Sequence, residues 1–239
     1  MIAALMAWLC GVFASPFPPQ PPADLHFVFN SDFVYMSSTR TTANEWWLSD
    51  GKSAARLGDR LSIVREDLGV AWRANVKAGT YTETKLPPAG QPQGPPPANA
   101  EKVDLHTAGW DWEPQYDWTV KASGQASTIA GRPCREFTAT GSADYAEANV
   151  SFWACDPLPG VSRNPTDIIA APLRSASAKR MIFDTLAKQG KAWLLAAEEQ
   201  QEPAIAPTMV IRVKVGTLEA GPAPPGTFDV PATFKKVGR

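Results

Sequence analysis

The sequence predicts a mainly antiparallel β protein with one helical stretch, α+β in class, and three observations carry that prediction. Short runs alternate apolar and polar residues, tight-turn residues separate the runs, and helical spacing of apolar residues is confined to 164–190.

In 24–36, DLHFVFNSDFVYM, Leu25, Phe27, Phe29, Phe33 and Tyr35 fall on one face of a strand, and His26, Asn30 and Asp32 on the other. One face is aromatic and the other wet, as the two-residue period of a half-buried strand requires. Residues 44–48 and 53–57 read as a hairpin around Ser49, Asp50, Gly51 and Lys52, and 59–65 is the next strand, with Leu61 and Ile63 on one side. Glu66, Asp67, Leu68 and Gly69 turn the chain into 70–75, and 80–86 follows. Short strands joined by tight turns imply an antiparallel meander.

Residues 87–100, PPAGQPQGPPPANA, hold too much proline to join a sheet. A surface loop within one domain spanning 24–237 is the expectation, and a domain boundary is the alternative. Beyond it, 118–129, 133–141 and 147–155 read as strands. Asn164 followed by Pro165 is a helix start, Pro172 divides the helical stretch in two, and Gly190 suits its end. In the second piece Ile182, Phe183 and Leu186 have helical spacing, a face able to pack on a sheet. Strands at 192–198 and 208–218 follow, the latter alternating Met209, Ile211, Val213 and Val215 with Arg212 and Lys214. The ending, GTFDVPATFKKV, returns Phe228, Val230 and Phe234 to the body.

Residues 1–14, MIAALMAWLCGVFA, form an apolar run shorter than the roughly 20 residues that cross a bilayer, and they stop at small residues. That is the shape of a signal peptide, cut after Ala14, with the proline-rich 15–23 leading the mature chain. A positive n-region is missing, and a retained anchor is the alternative. Cys10 belongs to the discarded segment, since Trp8 and Leu9 stand where a lipobox needs small residues. With 23 basic and 24 acidic residues and no basic block, nothing points to nucleic acid. The expectation is a protein of the periplasm, or a secreted one, that is not integral to the membrane.

Removing the leader leaves Cys134 and Cys155, and a pair in an oxidising compartment is usually a bridge. If the two flanking strands form a hairpin about 142–146, Cys134 falls opposite Cys155, close enough for a disulfide. The same register sets Phe137 against Phe152 and Ala139 against Val150 as core, and Glu136 against Trp153 and Thr138 against Ser151 on the bridge side. The bridge is then expected on the more solvated face.

Only His26 and His106 are available for histidine chemistry, and no nucleophile elbow, phosphate-cradling glycine loop or His-Glu-x-x-His helix is present. Asp104, His106, Asp111 and Glu113 can be drawn as a metal cluster, but structural sites favour cysteine or several histidines, so no metal or cofactor is assigned. Glu198 and Glu199 read as solvated. The aromatic stripe and the helix face nominate Phe27, Phe29, Phe33, Ile182, Phe183 and Leu186 as lining for a lipid, acyl chain or other apolar ligand. In GWDWEPQYDW, Trp110, Trp112 and Trp118 stand among carboxylates, a composition that serves either carbohydrate or peptidoglycan binding or the cover of a sheet edge. Binding, with no enzymatic activity, is the expectation.

Three segments, 61–83, 127–157 and 213–237, together resemble a bacterial family of exported proteins of unknown function related to the lipoprotein carriers LolA and LolB. The resemblance rests on Asp67, Tyr81, Ile129 with Gly131 and Cys134, Trp153, and Phe228 with Val230 and Pro231. It implies an unclosed β-barrel, one curved antiparallel sheet with helices on the concave side, and a cavity for an acyl chain or other apolar ligand. An envelope protein is a second partner class it suggests. The proline-rich insertion, the disulfide and the absent lipobox depart from the carriers proper.

Overall fold

The computed structural model describes residues 23–87 and 116–238. The leader, the proline-rich stretch beyond Pro87, His106, Trp110 and Trp112 lie outside the described residues. The strands are β1 (Leu25–Tyr35), β2 (Ser38–Ser49), β3 (Lys52–Leu57), β4 (Arg60–Arg65), β5 (Val70–Asn75), β6 (Thr80–Lys85), β7 (Asp117–Ile129), β8 (Arg132–Ala143), β9 (Ala146–Cys155), β10 (Trp193–Pro203), β11 (Met209–Ala220) and β12 (Lys235–Lys236). Two helices, α1 (Thr166–Ala170) and α2 (Ala176–Lys188), lie between β9 and β10.

All twelve strands of the described residues belong to one sheet, in the order β12-β6-β5-β4-β3-β2-β1-β11-β10-β9-β8-β7. The sheet is two meanders, β1 to β6 and β7 to β11, joined where β1 pairs with β11 along its length. Every pair is antiparallel except β12 with β6, and β7 and β12 are left as edges, so the sheet does not close into a barrel. β6 and β7, the strands on either side of the proline-rich stretch, stand near opposite edges.

The turns follow from their residues. Asp50 and Gly51 close the β2–β3 hairpin with Gly51 at φ 65°, a left-handed conformation that glycine adopts without a Cβ clash. A single 3-10 turn, Glu66–Leu68, ends on Gly69 and feeds β5. The β8–β9 hairpin has the expected register, Cys134 opposite Cys155 and Phe137 opposite Phe152, and the disulfide is formed. Its turn is tighter than 142–146, because the ladder runs on to Ala143 opposite Ala146.

The helices sit as their caps dictate. Asn164 Oδ1 accepts the Thr166 N–H at 2.9 Å, and Ser175 Oγ accepts the Ala178 N–H at 3.0 Å, filling donors that a helix start leaves open. Ala178, Ile182 and Leu186, spaced by four, are buried and belong to one core cluster with Leu25, Phe27, Phe29, Phe137, Val150 and Phe152. The Thr166 hydroxyl accepts the Leu194 N–H at 3.0 Å and fixes α1 to β10. Both helices therefore cover the face that carries the odd residues of β1.

Three expectations are corrected and one strand is added. The bridge is not on a solvated face: Cys134 is 3% and Cys155 0% exposed, with the half-buried Trp153 and Leu158 packed on the same cluster and Trp193 in register beside Cys155. β2 begins at Ser38 rather than near 44, because the polar STRTTA run completes the ladder with the second half of β1. β12 gave no signal in the sequence, since Lys235 and Lys236 are polar and show no apolar period; they join through backbone pairing with Thr80 and Tyr81 and the Lys236–Glu83 ion pair. Glu199 is not solvated but 1% exposed.

Candidate functional site

The aromatic stripe of β1 changes character along its length. Phe27 and Phe29 are sealed in the core, whereas Phe33 and Tyr35, stacked at 6.4 Å, are half-buried. The change occurs where the helices stop covering the strand. Beside Phe33 lies a hollow of about 380 Å³, lined by β1 at Ser31 and Phe33, β2 at Arg40 and Thr42, β11 at Ile211, and the link between the helices at Pro172 and Arg174. Asp32 also borders it, but its carboxylate accepts the Thr41 hydroxyl at 2.7 Å, and its register partner is Arg212 on the other face.

Register explains the assembly. Phe33 is opposite Arg40 on β2 and opposite Ile211 on β11, so one cross-strand row presents a cation, an aromatic ring and a branched alkyl group. The next residue in the row is Glu199, opposite Ile211 on β10. Its carboxylate accepts the backbone N–H groups of Arg174 at 2.7 Å and Ser175 at 3.0 Å, and the Gln201 side-chain amide at 2.7 Å. Those donors are what a buried carboxylate needs, since an ionised group without them carries a heavy desolvation cost. The result is positional: Glu199 clamps the inter-helix link to the sheet and delivers Arg174, whose guanidinium lies 5.6 Å above the Phe33 ring centroid. That contact is a cation–π pair.

Of the six residues nominated as apolar lining, Phe27, Phe29, Ile182 and Leu186 are buried in the core cluster, Phe183 packs half-buried against it, and Phe33 borders the hollow. Sequence reasoning missed Arg40, Arg174 and Glu199. Arg174 had one usable signal, its place just after the helix-dividing Pro172. Glu199 had none, because WLLAAEEQQ shows no alternation from which its face can be read.

A second hollow, of about 530 Å³, lies at the other end of the sheet between β7, β8 and the end of α2. It is larger, but Ala126, Ser127, Thr128 and Ala154 give it short walls, and none of the nominated residues reaches it. The Phe33 hollow is the stronger candidate because a nominated ring borders it together with two cations, one of which, Arg174, is placed over that ring.

Trp118 is used in packing. Its indole N–H donates to Ser177 Oγ at 3.1 Å, and its ring fills the space that a side chain at Gly141 would occupy. His26 does not stand apart: it stacks on Trp47 at 4.0 Å, with Glu45 at 3.2 Å and Glu219 at 3.6 Å from its ring nitrogens. These contacts tie β1 to both neighbours and supply no nucleophile. Among the described residues no group of three histidine, cysteine or carboxylate side chains is placed to hold a metal ion, and no helix is long and apolar enough to cross a membrane.

The segments that carried the family resemblance meet in space. Arg65 donates to Asp67 through two nitrogens at 2.8 Å and to Asp229 at 2.9 Å, binding the 61–83 segment to the ending that holds Phe228 and Val230. The guanidinium beside them holds Asp67 below the usual carboxylate range.

No protein-family model matches the chain, and no curated protein matches it. Solved structures do. A protein from Vibrio parahaemolyticus described as an outer membrane lipoprotein-sorting domain is 6% identical, with a TM-score of 0.30 over 88% of this chain and 91% of that one. MucB in complex with MucA(peri) is 14% identical, with a TM-score of 0.32 over 91% and 57%. PNGF-II is 9% identical, with a TM-score of 0.33 over 87% of this chain, which spans only 30% of that protein's length. The chain itself has one open, almost wholly antiparallel sheet with helices on a single face, the architecture that its resemblance to the lipoprotein carriers implies.

Proposed function

We propose that this is an exported, non-enzymatic binding protein of the periplasm that holds a lipid, acyl chain or other apolar ligand on the helix-bearing face of its sheet. The observation that carries the reading is the opening of the buried aromatic stripe into the hollow at Phe33. Apolar surface is left accessible there by a strand that buries Phe27 and Phe29 further along the same face. Cavities of a few hundred Å³ with apolar walls and a few fixed polar groups are the usual form of small-ligand sites. The disulfide supports export, since such bridges persist in oxidising compartments.

Native mass spectrometry of protein purified from its own envelope tests this directly, with a copurifying lipid-sized mass expected. The same protein should raise the fluorescence of N-phenylnaphthylamine, and Phe33→Asp should abolish the signal while the melting transition is kept. A lipid-free spectrum together with no dye response overturns the reading.

A further inference from the structure

We infer that the ligand of the Phe33 hollow is an amphiphile with an acidic headgroup, a carboxylate or a phosphate, held by Arg174 and Arg40 with its chain on Phe33 and Ile211. The inference rests on the binding role proposed above and specifies the ligand's chemistry.

Charge complementarity is its ground. Arg40 and Arg174 both border the hollow, one on β2 and the other on the inter-helix link. Neither guanidinium has a hydrogen bond or ion pair among the described residues, whereas Arg65, Arg163 and Arg212 each have a carboxylate. The acids that lie near are committed. Asp32 is bonded to Thr41, and Glu199 is filled by the Arg174 and Ser175 N–H groups and the Gln201 amide. The hollow is thus bordered by two cations that no carboxylate of the described residues bonds. Guanidinium groups present several N–H donors in a plane and bind carboxylate and phosphate in forked pairs.

The clamp on Arg174 adds preorganisation. Because Glu199 fixes its backbone and Phe33 its guanidinium, the cation is in place before a ligand arrives, which limits the ordering cost of binding. The apolar part also has a direction. Tyr35 and Met209 continue the row beyond Phe33 and Ile211 on the same face, both half-exposed, toward turns that carry Met36 at 68% and Ile205 at 100% exposure. An alkyl tail leaving the hollow has apolar surface along that path.

Isothermal titration of the full mature chain with dodecanoate, dodecyl phosphate, dodecanol and inorganic phosphate reads the inference. The two amphiphilic acids should bind, dodecanol should bind at least about tenfold more weakly, and inorganic phosphate should not register. Arg174→Gln with Arg40→Gln should cost the acids about tenfold or more while leaving dodecanol and the circular dichroism spectrum unchanged. If dodecanol equals the acids, the headgroup site is wrong and the apolar-binding role stands; if no amphiphile binds, both fall. Inorganic phosphate binding as well as dodecyl phosphate overturns the amphiphile in favour of a free-anion site. A preference between the two acids separates a fatty-acid source from a phospholipid one.

Discussion

The two halves of the sheet are stabilised by different means. Where the helices lie, on β1 and β8 to β11, the core is built from Leu25, Phe27, Phe29, Phe152, Val213 and the helix residues Ile169, Ile182 and Leu186. From β3 to β6 no helix among the described residues covers the sheet, and the buried apolar residues described there are Ala54, Ala55, Ile63 and Ala74. That half is tied instead by polar contacts to the chain ending. Arg65 holds Asp67 and Asp229, and Glu83 accepts from the Trp72 indole at 3.0 Å and from Lys236 at 2.8 Å. Burial of a large apolar side chain contributes about 1.5–3 kcal/mol, whereas an exposed ion pair contributes about 0–1 kcal/mol. One continuous ladder therefore joins a firmly held half to a weakly held one, and the candidate site lies where helix cover ends.

The largest expected effect sharpens this contrast. Phe27→Ala should lose about 3–5 kcal/mol in urea unfolding, because a sealed ring leaves a cavity. Trp72→Ala, a larger truncation at a half-buried position, should lose about 1–2 kcal/mol. Equal losses would remove the distinction between the halves.

Replacing Cys134 and Cys155 together by alanine should cost about 3 kcal/mol, as expected for a bridge with a sequence separation of 21. Since both sulfurs are buried against the helix-covered core, the reduced wild type should also resist alkylation until it unfolds. Rapid alkylation of the folded reduced protein would show that this half opens locally.

The bridge also shows what the amino-acid sequence makes legible. Alternation around Cys134 and Cys155 is strong, so the hairpin, its register and the pairing of Phe137 with Phe152 can all be read in advance. The existence of β1 to β11, the two helical pieces and the division at Pro172 are legible for the same reason: each is a local pattern. The environment of the bridge is not, because its burial comes from Trp193 and from the segment after β9, contacts distant in sequence. Of the candidate site, the stripe through Phe33 was readable, but its cations were not. Arg40 sits in a polar run without apolar period, and the face of Glu199 is hidden in the sequence because the preceding stretch 193–197 is buried on both sides, with a register shift between Leu194 and Ala196.

Glu199→Ala tests the helix-covered half at the candidate site. The buried Ser175 N–H would lose its acceptor, at about 1–3 kcal/mol before relaxation, and the half-buried Arg174 N–H would lose its own at a smaller cost. A total near 2 kcal/mol is expected, with weaker acid binding because Arg174 is no longer fixed. Unchanged binding with lost stability would make Glu199 purely structural.

The smallest effect is confined to the weakly held half and depends on pH. Asp67 is held below the ordinary carboxylate range by its hydrogen bonds to Arg65, and Glu83 by its hydrogen bond to Lys236 and then that to Trp72. A carboxyl whose folded-state value is lowered contributes stability above its unfolded value, and loses that contribution as pH falls through the folded one. For groups with ordinary values near 4, the loss therefore falls in acid below about pH 4, not near neutrality. Both carboxylates are solvent-accessible, so the contribution is screened and should shrink further in molar salt. Hydrogen exchange localises it. The amides of Lys235 and Val237, which donate to Gly79 and Tyr81 at 2.8 Å, should lose protection in that window while those joining β1 to β11 keep theirs. Asp67→Asn should reproduce part of the loosening at neutral pH. If tail and core amides open together, the two halves form one cooperative unit and the helix cover stabilises both.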